Sequence, residues 1–357
     1  MRKDIKLGNI SIGHKHKPFV IAEMSGNHNH SIDKALEIID AAALSGAHAI
    51  KLQTYTADTL TIDVSGDDFC IKDKNSLWKD RNLYELYKEA HTPWEWHEKI
   101  IKRSNELGMV CFSTPFDETA VDFLETLKCP IYKISSFEMM DFPLIKKISK
   151  TKKPLIISTG MAKLSEIEQS YNFARKMGIK NLALLYCVSN YPAKISDFNL
   201  NNIRIFSDRF DCPIGLSDHS KDDLVAFSAV SAGAKIIEKH IALKNQTKGL
   251  DIKFSIKGNQ IKKFSKSINM AKKLLGSKKF KRDKSENINR KLRRSIFIVK
   301  DIKRGENFTK NNIKKIRPGF GVEPIYYDKI LKKKSPANLK KEIPFSKNLL
   351  KKLKIKI

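Results

Sequence analysis

Short apolar, β-branched runs alternate along the chain with stretches of helical periodicity. The runs are FVIAEMS from Phe19, AIKLQTY from Ala49, MVCFSTP from Met109, IYKISS from Ile131, PLIISTG from Pro154, LALLYCVS from Leu182, PIGLSDH from Pro213 and KIIEKHI from Lys235. Between them lie amphipathic intervals such as SIDKALEIIDAAALSG, DETAVDFLETL, LSEIEQSYNFARKMG and DDLVAFSAVSAG, the first and the last two closed by glycine as helix ends usually are. Strand and helix in strict alternation is the pattern of parallel βαβ units. Eight units in about 250 residues predict an α/β fold of the TIM (β/α)8 barrel type. A doubly wound sheet fits less well, because no GxGxxG follows a strand.

Two features break the rhythm. Between Tyr55 and Met109 a long insertion interrupts the second unit, and long barrel loops are usually functional. After a last helix predicted over 258–275, the segment 276–292 is charged and reads as a linker. Residues 293–357 then show short alternating strands with Gly-Glu and Pro-Gly turns, a small β-rich domain. The expected division is a barrel domain at 1–275, a linker at 276–292 and a second domain at 293–357.

Composition excludes several classes. At 357 residues, 41% hydrophobic and 9% aromatic, the chain can bury a sizeable core and is not disordered. No apolar run is long enough to span a membrane, the start MRKDIKLGNI lacks an apolar signal core, and a cytoplasmic location is expected. Five cysteines without CxxC spacing suggest reduced thiols, with neither a disulfide framework nor a cysteine metal site. The net charge of +29 is concentrated. Residues 261–357 hold 32 Lys or Arg against 7 Asp or Glu, a net of +25, which leaves +4 for the rest. No aromatics are interleaved as a nucleic-acid stacking platform needs, so this charge reads as solvated surface, with no nucleic-acid and no membrane partner expected.

The candidate chemistry lies where the runs end, because barrel active sites sit at the C-terminal ends of the strands. In order these ends carry Glu23, Asn27 and His28; Lys51 and Gln53; Ser113 and Thr114; Lys133, Ser135 and Ser136; Ser158 and Thr159; Ser189, Asn190 and Tyr191; Ser217, Asp218 and His219; and Glu238 and His240. A ring of charges costs several kcal/mol per uncompensated group, so its convergence predicts a ligand or mutual pairing. His219 and His240, on adjacent strands, suit a shared divalent cation. Lys51 and Lys133 suit a phosphate or carboxylate, or alternatively a Schiff base with pyruvate.

Ten ordered motifs carry a resemblance over nearly the whole chain: IAEMSGNHN (21–29), KLQTYTADT (51–59), TPWEWH (92–97), FSTPFD (112–117), YKISSFE (132–138), STGM (158–161), CVSNYPA (187–193), GLSDHS (215–220), EKHI (238–241) and IRPG (316–319). Together they resemble the nonulosonic acid synthases. AEMSGNHN, the KLQTYTADT block and TPWEWH are similar to the pseudaminic acid branch, with the sialic and legionaminic acid synthases as neighbours.

The resemblance implies a barrel followed by an antifreeze-like (SAF) domain, and a homodimer formed by exchange of that domain. It further implies metal-dependent condensation of phosphoenolpyruvate with an acetamido sugar aldehyde. His219 and His240 would hold the divalent ion (Mn²⁺, Mg²⁺ or Co²⁺). Lys51, Lys133, Ser136 and Thr114 would surround phosphoenolpyruvate. Glu23, Gln53, Tyr191, Glu238 and Asp251 would line the sugar and the reacting atoms, Glu23 handling protons and Glu238 supporting the histidines. Ser217 and Ser189 complete the substrate site, Ser189 standing where sialic acid synthases place an Asn. Arg317 would reach the sugar's N-acetyl group in the partner's barrel. Outside the family, a pyruvate Schiff-base aldolase or an anionic-polymer binding protein are the alternatives.

Overall fold

A computed structural model describes residues 4–13, 15–74, 76–277 and 279–356. After a small hairpin, β1 (Ile5–Leu7) and β2 (Ile10–Ile12), come eight parallel strands: β3 (Phe19–Glu23), β4 (Ala49–Thr54), β5 (Val110–Pro115), β6 (Tyr132–Ile134), β7 (Leu155–Ser158), β8 (Leu182–Cys187), β9 (Ile214–Asp218) and β10 (Ile236–Ala242). They are the eight runs singled out in the sequence. Each pairs with the next, and β10 pairs with both β9 and β3, which closes the barrel. All residues of β3, β8, β9 and β10 are buried, the mark of strands covered on both faces.

The surrounding helices are α1 (Ile32–Leu44), α2 (Ala57–Leu60), α3 (Leu83–Ala90), α4 (His97–Glu106), α5 (Glu118–Thr126), α6 (Phe142–Ser149), α7 (Leu164–Lys176), α8 (Asn201–Arg209), α9 (Asp223–Ala232) and α10 (Asn259–Leu274). Their starts are written in side chains. Ser31, Asn82, Asp117, Asp141 and Asp222 each accept a hydrogen bond from a backbone N–H of the first turn. Gly46 and Gly178, just past the ends of α1 and α7, take the left-handed φ of +77° and +88° that a side chain resists. The apolar faces repeat at i, i+3 and i+4: Ala35, Ile38, Ile39 and Ala42 on α1, and Leu144, Ile145 and Ile148 on α6. Each fully buried Ile or Leu stabilises by roughly 1.5–3 kcal/mol, so a polar substitution at Ile39 would open the barrel wall.

The insertion folds over residues 55–96 as α2, short turns and α3, while α4 serves as the barrel helix before β5. It is fastened locally. Asn82 Nδ2 donates to Val64 O at 2.8 Å, Tyr84 Oη to Asp58 Oδ1 at 3.1 Å and Trp94 Nε1 to Tyr55 O at 3.3 Å.

The chain forms two compact units, residues 1–276 and 277–357. In the second, strands β11 (Ser295–Ile298) and β12 (Ile313–Ile316) pair antiparallel over a separate core that includes Ile296, Ile298, Phe308, Ile313, Phe345 and Leu350. An exposed turn of 3-10 helix, Lys284–Leu292, precedes them. None of the described cysteines forms a disulfide, and among the described residues no helix is long and apolar enough to cross a membrane.

Candidate active site

Parallel ladders bring the polar strand ends together. Glu23 of β3 stands in register with His240 on one side and Lys51 on the other; Gln53 is level with Thr114, and Glu238 with Ser217. Above them opens a cavity of about 1430 Å³ at the C-terminal ends of the strands. Lys51, Gln53, Thr114, Lys133, Ser136, Ser189, Tyr191, Ser217, His219, Glu238, His240 and Asp251 all line it.

Two buried ion pairs form its floor. Lys51 pairs with Glu23 and donates to Thr114 Oγ1 at 3.3 Å. Lys133 Nζ lies 3.2 Å from Glu238 Oε1, which also accepts a hydrogen bond from Ser217 Oγ at 3.1 Å. Burial favours the neutral amine of Lys51, but the Glu23 and Glu238 charges outweigh it and hold its pKa above the ordinary lysine value. Burial likewise pushes the Glu238 carboxyl up, and Lys133 and Lys51 overcome it, bringing the carboxyl down to about 2. The neighbouring carboxylates thus favour the ammonium form of Lys51, which is ill suited to attack a carbonyl. Glu23 does not line the cavity: it is fully buried, held by Lys51 and by the Ser25 N–H at 2.8 Å.

The histidines sit beside these pairs with their rings 5.4 Å apart. His219 Nδ1 is 3.0 Å from the Val188 carbonyl, which fixes the proton on Nδ1 and leaves the Nε2 lone pair free. Burial pushes its pKa down, against the Val188 bond and the Glu238 charge, so the ring is neutral. His240 Nδ1 faces Asp251 Oδ2 at 3.4 Å. Burial pushes the Asp251 carboxyl up, but its contact with His240 and that ring's charge bring it below the usual range. Among the described residues no three His, Cys, Asp or Glu side chains form a closed metal cage. Two imidazoles beside carboxylates fit a divalent cation whose remaining positions stay open to water and substrate oxygens.

Not every polar strand end points inward. Side chains alternate along a strand, so Ser113 and Thr54 bond each other at 2.6 Å behind the wall, where Thr54 also meets His97 Nε2 at 2.8 Å. Asp218, between Ser217 and His219, pairs at 2.8 Å with Lys239 on the outer face. Thr159 gives its hydroxyl to Leu185 O, and Asn27 binds Ile241 O and Ser255. Arg317 belongs to the second unit, exposed just after β12.

The structure gives roles to two positions of the STGM stretch, Ser158, which stands among the polar strand ends, and Gly160, which does not. Ser158 Oγ is buried in the cavity wall with no hydrogen-bond partner among the described residues. Gly160 N–H donates to Ser136 Oγ at 2.9 Å, and a Cβ on Gly160 would collide with Ser189 Oγ. The STGM motif held that signal, but only the fold shows which neighbour needs the space.

A closed parallel barrel with charged residues gathered at the C-terminal mouth places the chain in the class of barrel enzymes, whose active sites lie at that face. The chain belongs to the NeuB family, whose model matches residues 38–280. It is 41% identical over 324 residues to the pseudaminic acid synthase of Campylobacter jejuni subsp. jejuni serotype O:2, spanning 91% of this chain and 94% of that one. It is 39% identical to the pseudaminic acid synthase of Helicobacter pylori, spanning 92% and 96% of the two. With the N,N'-diacetyllegionaminic acid synthase of C. jejuni the identity is 33%, over 91% and 98%. Among solved structures, the N-acetylneuraminic acid synthetase of Leptospira borgpetersenii serovar Hardjo-bovis superposes with a TM-score of 0.72 at 31% identity, covering 81% of this chain and 95% of that one.

Proposed function

We propose that the enzyme condenses phosphoenolpyruvate with 2,4-diacetamido-2,4,6-trideoxy-L-altrose to give pseudaminic acid and phosphate. The observation that carries the choice of acceptor is the identity gap, 39–41% to pseudaminic acid synthases against 33–35% to legionaminic acid synthases over comparable lengths.

In this reading Lys51 and Lys133 bind the phosphate and carboxylate of the donor, with hydroxyls of Thr114, Ser136, Ser158 and Ser189 completing the contacts. The donor's methylene carbon attacks the aldehyde carbon, forming the new carbon–carbon bond. Water adds to the donor's second carbon, and the tetrahedral adduct loses phosphate by carbon–oxygen cleavage. His219 and His240 are the residues that would hold the divalent cation, Mn²⁺, Mg²⁺ or Co²⁺. Bound there, it would supply Lewis-acid polarisation of the acceptor's carbonyl oxygen. Glu238 pairs with Lys133 and balances the cationic site; Glu23 takes part in proton handling through Lys51. Gln53, Tyr191, Ser217 and Asp251 orient the acceptor. The second unit is assigned as an antifreeze-like domain that is exchanged in a homodimer, bringing the partner's Arg317 to the sugar's N-acetyl group. A cytoplasmic enzyme fits a phosphoenolpyruvate donor. The ion pairs that hold Lys51 against Glu23 and Lys133 against Glu238 favour anion binding over a Schiff base.

The test is phosphate release with mass-spectrometric identification of the product, run side by side with the diacetamido sugar and N-acetylmannosamine. A larger specificity constant for N-acetylmannosamine would overturn the acceptor assignment.

A further inference from the structure

We infer that Trp78 and Ile71, carried by the insertion after β4, form the wall that reads the far end of the acceptor sugar; the inference rests on the proposed function. Both line the same cavity as the ion pairs and the histidines, together with Leu60 and Tyr87 of the same insertion. Trp78 packs on Tyr191 with ring centroids 5.6 Å apart, and Tyr191 packs on His219 at 4.5 Å. The line from the candidate metal histidine outward therefore runs His219, Tyr191, Trp78.

The acceptor's aldehyde must lie at the inner end of this line, next to the donor. Five staggered carbon–carbon bonds of about 1.5 Å carry its sixth carbon roughly 6 Å outward. Tyr191 stands between His219 and Trp78 in this chain of contacts, so the sugar's far carbons lie on the side of the cavity that the insertion lines. The insertion thus meets the sugar at its fourth to sixth carbons, where a 6-deoxy sugar presents a methyl group and an acetamido methyl and N-acetylmannosamine presents hydroxyls. Against Ile71 and the indole carbons of Trp78 a hydroxyl gives up water and gains carbon contacts; the indole Nε1–H, buried without a hydrogen-bond partner among the described residues, is the polar exception in this wall. Asp73 and Ser76, on the same segment, also line the cavity. An apolar wall rejects an added hydroxyl only modestly, by about 10- to 200-fold.

The experiment compares kcat/KM for the diacetamido sugar and for N-acetylmannosamine in the full-length enzyme and in Trp78→Ala, Ile71→Asn and Trp78→Phe. The ratio should fall at least tenfold in the first two and stay within threefold of the parent in Trp78→Phe, which keeps an apolar face. KM for phosphoenolpyruvate and Tm should hold in all three, since the donor binds deeper and the insertion is anchored elsewhere. A ratio unchanged in both Trp78→Ala and Ile71→Asn overturns the wall while leaving the proposed function standing. A parent enzyme that turns over neither sugar overturns the function, and this role with it.

Discussion

Lys133 Nζ and Glu238 Oε1 meet at 3.2 Å inside the barrel, one from its fourth strand and the other from its eighth. Neither is more than 5% exposed, so each is the other's main source of compensation before any substrate arrives. An incoming anion joins a site whose charges are already in place, which spares the protein the reorganisation that a collapsed, neutral pocket would require.

The pair should therefore respond unequally to single and double changes. Lys133→Ala leaves Glu238 buried beside one cation fewer. It should lower stability by about 3 kcal/mol and reduce kcat/KM at least a hundredfold. Lys133→Met with Glu238→Leu should regain most of the stability and none of the activity. Urea titrations and steady-state kinetics on the three proteins check this; a double variant as unstable as the single one would contradict it.

Gly160 is predicted to be intolerant of a single methyl group. Gly160→Ala drives a carbon into Ser189 Oγ and crowds Ser136 Oγ, so KM for phosphoenolpyruvate should rise at least tenfold. Adding Ser189→Gly removes the first clash and should restore part of the loss. If Gly160→Ala alone binds the donor normally, Gly160 does not shape the donor site.

Chelation should abolish condensation, and Mn²⁺ should restore it. His219→Ala should fold normally but bind Mn²⁺ at least tenfold more weakly by calorimetry, because half of the two-histidine hold is gone. Full activity of a demonstrably metal-free enzyme would remove the cation from the mechanism.

Acid should weaken the fold before it titrates the ion pairs. His28 and His97 are fully buried, and burial brings both imidazoles from 6.5 down to about 4. The unfolded chain binds these protons first, so stability is complete above pH 6.5 and falls as pH drops toward 4. The loss is about 3 kcal/mol for each group. Urea melts at pH 7.5 and pH 4.5 measure it; equal midpoints would show that these rings are not held neutral.

If the second unit is exchanged between protomers, His219→Ala and Arg317→Ala homodimers should both be nearly inactive. Random exchange of the two chains should return up to about a quarter of wild-type activity, from one intact site in each mixed dimer. Co-purifying mixed dimers without activity would place Arg317 outside the site.

The sequence by itself determined the eight strands, since short apolar runs between helical intervals leave a parallel barrel as the economical closure. It also determined which residues stand near the mouth, because strand ends are local. It did not determine which of them face inward. Ser113, Thr159 and Asp218 sit at strand ends like Thr114, Ser158 and His219, yet their side chains are spent behind the wall, on Thr54, Leu185 O and Lys239. A one-residue difference in register reverses that choice, and register is set by the closure of the whole barrel. The same closure pairs Lys133 with Glu238 and Lys51 with Glu23, gives Gly160 its indispensable gap, and packs Trp78 on Tyr191 across more than a hundred residues of chain. Such contacts join residues far apart in sequence, and no local propensity encodes them; the tertiary structure alone decides them.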